Sequence, residues 1–302
     1  MSRFRDLLIT IATSADSSPY SNGIWLLQDG EVVPGYEGIY EITGWFDLEV
    51  GQDIYVGAGG STQNIYFPHD REAQQCTVYV TGGYVEAVYD SGGYAGDVVL
   101  SGGTIGYIFA NYCNLTVTGG LLGHVNISSS VDISGGTIDS IYVEGYADII
   151  MSGGLIRSIY SSDWGGIVVE MSGGSFDDLY LGTGLASWGS LNMTGGTIDF
   201  IVLGCESVFE EMGSGGASVA GYVKQAVVTA GSCVTVLDGG VVDHASVYGF
   251  ECTDSWSGEL EHPEIYISKL VVKSGGRVKK LTQGNAYVEI TVEDGGIIEE
   301  GY

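Results

Sequence analysis

Basic residues are scarce in this chain: 10 Lys and Arg stand against 38 Asp and Glu, for a formal net charge of −28. Such a surface repels the phosphate backbone, which excludes double-stranded nucleic acid as a main partner and argues equally against anionic membranes. Proline is nearly missing, at 4 residues, so the 50 glycines are not those of a collagen-like chain, which needs abundant Pro and Gly at every third position. The cysteines, Cys76, Cys113, Cys205, Cys233 and Cys252, have no C-x-x-C spacing, which excludes zinc-ribbon and thioredoxin-like sites. Their odd number builds no complete disulfide framework, and they are expected as small buried core residues. The histidines, His69, His124, His244 and His262, carry no metal-ligand spacing. No apolar run approaches the roughly 18 residues of a membrane-spanning helix, so no membrane insertion is expected. The opening Met1-Ser2-Arg3-Phe4-Arg5-Asp6 leads into an apolar stretch too short for a secretory leader and is expected to be a native N-terminus. There is no G-x-x-x-x-G-K-S/T phosphate loop, no G-x-S-x-G nucleophile elbow, no calcium-binding Gly-Gly-x-Gly-x-Asp nonapeptide and no Thr-x-Thr array of the ice-binding kind.

What the chain has in quantity is Gly within apolar, β-branched sequence, the composition of many tight turns between short strands. The glycines form a signature: an apolar residue, Ser or Thr, then Gly-Gly. It reads Val80-Thr81-Gly82-Gly83, Leu100-Ser101-Gly102-Gly103, Val117-Thr118-Gly119-Gly120, Ile133-Ser134-Gly135-Gly136, Met151-Ser152-Gly153-Gly154, Met171-Ser172-Gly173-Gly174 and Met193-Thr194-Gly195-Gly196. Looser copies begin with Gly92, Gly215, Gly239, Gly275 and Gly295. The spacing suits one turn of a β-solenoid. Two residues after the second Gly runs an apolar column: Val85, Ile105, Leu122, Ile138, Ile156, Phe176, Ile198. Five residues after it runs another: Val88, Val98, Ile108, Val125, Ile141, Ile159, Leu179, Ile201. One coil cannot bury these side chains, whereas coils stacked about 4.8 Å apart make them continuous ladders. A gap of three does not fit a straight strand, so a bend is expected between the columns.

Residues 1–75 lack the signature and read as a small antiparallel β-unit, a cap or attachment domain that covers the exposed edge of the first coil. Variable spacing after each conserved stretch places loops on one side, at Asp163-Trp164-Gly165-Gly166, at Gly182–Gly189, and in the long excursion after Gly240 that carries Cys252, Trp256 and His262. Loops on a rigid scaffold are where binding usually resides. Charge is uneven: between Glu72 and Val223, Arg157 is the one basic residue against 16 acids, while half of all Lys and Arg lie from Lys269 to Lys280. That basic end reads as a docking or self-association contact, or simply as a distinct terminal coil. The acidic body favours solubility and also suits a divalent cation such as Ca2+; no other cofactor is implied.

From Thr77 onward the Ser/Thr-Gly-Gly coils resemble the repeats of AIDA-type autotransporter adhesin passengers. The resemblance implies a right-handed parallel β-helix displayed on a bacterial surface, in a family often glycosylated on Ser or Thr. The chain departs from that family in having no clear signal peptide and no C-terminal membrane barrel. Phage tail fibres and tailspikes, which set β-helices behind an N-terminal attachment domain, are the second context. The expected fold is therefore all-β, a right-handed parallel β-helix over residues 76–302 with about 11–12 Gly-Gly coils behind the N-terminal β cap.

Two constellations carry chemistry. Six residues after the second Gly stand Tyr142, Tyr160 and Tyr180. Facing outward they would form an aromatic strip suited to sugar rings; facing inward they would be packing. With Trp164 and Trp188 in the loops they are the candidate binding residues. Three residues after the second Gly stand Asp139, Arg157, Asp177 and Asp199, with Asp178 beside them. As a charge ladder these acids are scaffold. As a carboxylate pair on adjacent coils, Asp177 and Asp199 with Asp178 would resemble a glycosidase or lyase site. The expected function is a surface-exposed, non-catalytic solenoid, extracellular or on a virion, that binds a glycan or cell-surface receptor. A polysaccharide-degrading tailspike and a purely structural fibre, self-associated as a homo-oligomer, are the alternatives.

Overall fold

The computed structural model describes residues 20–68, 76–90, 96–183, 187–204, 214–255, 258–284 and 286–301, the side chains of 214 and 252–264 excepted. The protein is all-β, 70% strand without helix among the described residues, and forms a parallel β-solenoid of about 11 turns. It comprises two compact units, Met1–Ile141 and Tyr142–Tyr302. In each, a coil is a first strand, a glycine corner and a second strand, and like strands stack in register as two parallel sheets.

In the first unit the first-strand sheet stacks Gln52–Val56, the leading halves of Thr77–Tyr89 and Asp97–Phe109, Asn114–Val117 and Ser130–Ile133. The second-strand sheet stacks Glu41–Asp47, Ser61–Tyr66, the trailing halves of the same two long strands, and Leu121–Ile127. Parallel stacking thus extends into the segment that lacks the Gly-Gly signature. Ile24–Gln28 adds antiparallel pairing, set between Glu31–Ile39 and Gln52–Val56. In the second unit the first-strand sheet runs from Tyr146–Met151 through Gly166–Met171, Trp188–Met193, Ser214–Val219, Cys233–Val236 and Ser268–Val272 to Val288–Val292. Its second-strand sheet runs from Leu155–Ser161 through Ser175–Leu181, Thr197–Leu203, Tyr222–Val228, Val241–Val247 and Arg277–Gln283 to Ile297–Glu300. The long excursion after Gly240 is an antiparallel hairpin of Phe250–Ser255 and Gly258–Tyr266.

The two apolar columns face inward: every residue of both is at most 2% exposed. Val98 alone is misplaced. It stands in the first-strand sheet between Val78 and Leu115, because its coil turns at Gly102-Gly103. The Gly92-Gly93 copy lies outside the described residues. A bend does separate the columns. Pairing passes from Ile156–Phe176 to Ser158–Asp178 and skips one residue, and the same skip recurs in the strands above. At that bend two successive side chains face outward, which turns a gap of three into two inward positions.

Each glycine of the corner answers a different demand. A Cβ on the first would stand 2.5 Å from the Ser101 carbonyl oxygen at Gly119, and 2.5 Å from that of Ser152 at Gly173, in the coil behind. The second has a left-handed φ, +81° at both Gly120 and Gly174, which side chains resist. The residue after the pair donates its N–H to the second glycine one coil back, Ser175 to Gly154 and Thr197 to Gly174, both at 3.0 Å. The preceding hydroxyl residue does likewise: Thr194 N–H meets the Met171 carbonyl at 2.8 Å, with its Oγ1 at 3.3 Å. The looser copies differ. Gly215 and Gly216 lie within a strand, Gly215 beneath Leu203, and the corner there is Ala220-Gly221. In the last three coils the corner is one residue longer. Gly239, Gly275 and Gly295 take the positive φ, and Gly240, Gly276 and Gly296 close the turn onto Leu237, Lys273 and Glu293 at 2.9 Å.

Candidate functional site

The acidic column occupies the bends of the second-strand sheet, facing solvent. Asp177 is exposed, Asp178 is half-buried in register with Ser158 and Phe200, and Asp199 is ion-paired to Lys224 at 3.3 Å. The ladder continues upward. Lys279 contacts Asp243 at 2.6 Å and holds its carboxyl below the usual range, aided by the Tyr222 hydroxyl, which donates to Asp243 Oδ2 at 2.6 Å. The basic terminal coils follow the same rule, with Lys269 on Glu289, Lys273 on Glu293 and Arg277 on Glu299. The basic end is thus matched coil by coil to acids. A shallow concavity of about 550 Å3 lies between Gln28, Asp29, Glu31, Val32, Pro34 and Gln52; none of the three candidate aspartates lines it. Among the described residues no three His, Cys, Asp or Glu side chains converge as metal ligands would, and no helix is long and apolar enough to cross a membrane.

The tyrosine strip faces outward. Tyr160 is 41% exposed, and Tyr142 and Tyr180 are half-buried. Tyr142 and Tyr160 have ring centroids 5.2 Å apart, tilted by 49°, while Tyr180 meets Phe200 edge-on at 6.2 Å. The column ends there, since Val202 follows Tyr180 in register. Trp164 stands at the tip of the turn closed by the Gly165 N–H to Ser162 bond and is well exposed. Trp188 opens a strand instead of hanging in a loop. Its indole lies across Gly166, where a Cβ would come within 2.6 Å of the ring, and reaches Tyr146 at 5.6 Å. Residues 184–186 of the preceding loop lie outside the described residues, as do Cys205, His69 and Trp256. Cys76 and Cys113 are buried and Cys233 is half-buried.

A further aromatic surface, outside the expected binding residues, lies in the first unit. On the second-strand sheet of the first unit, Trp45, Tyr66, Tyr89, Phe109 and Tyr107 touch in succession, with His124 at the end. Tyr66 and Tyr89 are stacked at 4.8 Å and 12°, Tyr89 and Phe109 at 5.4 Å and 10°, and Tyr107 and His124 at 5.4 Å. The ribbon crosses successive coils and stays open, with Trp45 78%, Phe109 44% and Tyr107 43% exposed. Tyr89 and Phe109 stand six residues after Gly83 and Gly103, the same count that leads from Gly136 to Tyr142 in the sequence. The signal was therefore present, and extending that count backwards finds these two. A second stack in this unit, Tyr20, Tyr55 and Tyr79, is of another kind: Tyr79 is buried, and desolvation pushes its phenol up.

Comparison with models of protein families, with curated proteins and with solved structures found no match to this chain.

Proposed function

We propose that this protein is a non-catalytic β-solenoid that presents outward aromatic surfaces to a glycan or a glycan-bearing receptor, in the setting of an adhesin or a virion appendage. The ribbon from Trp45 to Tyr107 carries the reading. Large rings left open to water are costly unless something covers them, and Trp45, Phe109 and Tyr107 are the rings of the ribbon left most open, a surface on which sugar C–H groups can pack. Trp188 on its Gly166 seat adds a fixed indole face in the second unit. Of the acids at the bends, Asp199 is paired with Lys224 and Asp243 with Lys279, which supports a scaffold role for these two.

The test is a panel of bacterial capsule and cell-wall polysaccharides, with binding followed by affinity electrophoresis and products by reducing-end assay. Retardation without product release, weakened by Trp45→Ala or Phe109→Ala, is the expected result. Release of reducing ends abolished by Asp177→Asn or Asp199→Asn would show an enzyme instead. A blank panel together with concentration-dependent light scattering would leave only a structural fibre component.

A further inference from the structure

We infer that the Trp45–Tyr107 ribbon takes a saccharide chain bearing free ammonium groups, and that it disfavours uronic, sulfated or phosphorylated chains. This rests on the glycan-binding reading and narrows its ligand class. The described residues of the first unit contain no Lys or Arg at all, yet hold 12 Asp and Glu. Three of those carboxylates border the ribbon. Asp47 is the register partner of Tyr66, Asp90 follows Tyr89, and Glu86 is exposed at the bend of the same strand. An anionic sugar laid on these rings would meet only like charge over several coils, a repulsion that low salt makes stronger. A cation meets the reverse. The rings left most open, Trp45, Phe109 and Tyr107, attract an ammonium group through any face that no neighbouring ring covers, and the bordering carboxylates add to the pull. His124 stacks at the far end of the ribbon on Tyr107, with its Nδ1 2.6 Å from the Ser140 hydroxyl. The aromatic column also sets direction. Tyr66, Tyr89 and Phe109 follow one another across coils, so the ribbon runs across the strands and a chain laid along it does the same.

The experiment uses the full chain and three oligosaccharides of equal length: a free-amine glucosamine oligomer, its N-acetylated counterpart and an oligouronate. Calorimetric titration is run at two salt concentrations, at a mildly acidic pH that keeps the amines protonated. The free-amine oligomer is expected to bind tightest and to weaken as salt rises. The N-acetylated oligomer is expected to bind more weakly and with little salt dependence, and the oligouronate not to bind. Phe109→Ala is expected to lower free-amine affinity by about tenfold, the scale of one aromatic contact, while Trp164→Ala leaves it unchanged. Phe109 faces outward, so far-UV circular dichroism should show the fold retained. N-acetylated or uronate binding as tight as that of the amine, lost in Phe109→Ala, would overturn the charge class and leave the glycan reading standing. Amine binding untouched by Phe109→Ala and by Trp45→Ala would mean diffuse attraction to the acidic surface and would overturn the proposal. If no saccharide binds, the glycan reading falls with it.

Discussion

At the scale of the residue, the two glycines of a corner are required for separate reasons, and substitution separates them. Gly173 has ordinary φ but no room: a Cβ would press on the Ser152 carbonyl oxygen, which is backbone and cannot swing away. Gly174 has both faults, a left-handed φ of +81° and the Met151 Cε at 2.6 Å. Gly216 has neither, with nothing within 4 Å of the position its Cβ would take. Gly173→Ala and Gly174→Ala are therefore expected to destabilise by about 2 kcal/mol or more each in urea unfolding. Gly216→Ala should be neutral, or stabilising by up to about 1 kcal/mol through the less flexible unfolded chain. Equal losses at all three positions would mean that glycine acts here through composition and not through the corner. The Met column shows the same fit in reverse: Met151, Met171 and Met193 extend their methyls against Gly174, Gly196 and Gly221, space that a β-carbon would fill.

At the scale of the strand, the inward columns were legible because the second glycine is the true origin of register. Counting two and five residues on finds Ile156 and Ile159, and it also finds Val242 and Ala245 after the longer corner, since the extra residue precedes the pair. The count fails at Gly215-Gly216, where glycine sits in a strand to make room beneath Leu203, a packing demand that leaves no local pattern. The sixth-position count reaches only Tyr66, Tyr89 and Phe109; Tyr107 and His124 stand at the fourth position and Trp45 follows no Gly-Gly pair, so the full ribbon comes together only once coils are stacked. The same stacking creates a ladder that no single segment announces: Asp53, Thr77, Asp97 and Asn114 are register partners along the first-strand sheet. Asp97 is 8% exposed and accepts from Asn114 Nδ2 at 3.0 Å. Burial raises its carboxyl above the ordinary 3.8, with the Asn114 bond opposing. A raised acid favours folding relative to neutral pH when both states are protonated, below about 3.8, and that advantage is lost as pH rises through the folded value. Asp97→Asn is therefore expected to raise Tm at pH 7, with the difference from the parent shrinking towards pH 4. A difference constant across that range would show that the Asp97 charge is not what the fold resists.

At the scale of the whole molecule, each coil owes its stability to its neighbours, so unfolding should proceed by local loss and not in one step. The last described coil has a neighbour on one side only among the described residues. Val288–Val292 alternates between half-buried and exposed, and Val292 and Ile298 are half-buried, whereas their register partners Val272 and Val278 are fully buried. Amides of Val288–Val292 and Ile297–Glu300 are thus expected to exchange with deuterium fastest among the strands of the second unit, and those of the strands Gly166–Met171 and Ser175–Leu181 far more slowly. Salt should act on the two regions in opposite senses. Mutual repulsion among the acids of the body eases as salt rises from about 0.01 M to about 0.5 M, which slows exchange there. The terminal coil is held partly by exposed pairs of opposite charge, Lys269–Glu289, Lys273–Glu293 and Arg277–Glu299, and the same screening weakens them. Exchange mass spectrometry at the two salt concentrations should show protection rising in Gly166–Met171 and Ser175–Leu181 and falling in Val288–Glu300. If protection rises uniformly, the terminal ladder contributes nothing beyond charge balance, and the end of the solenoid is held by its half-open apolar columns alone.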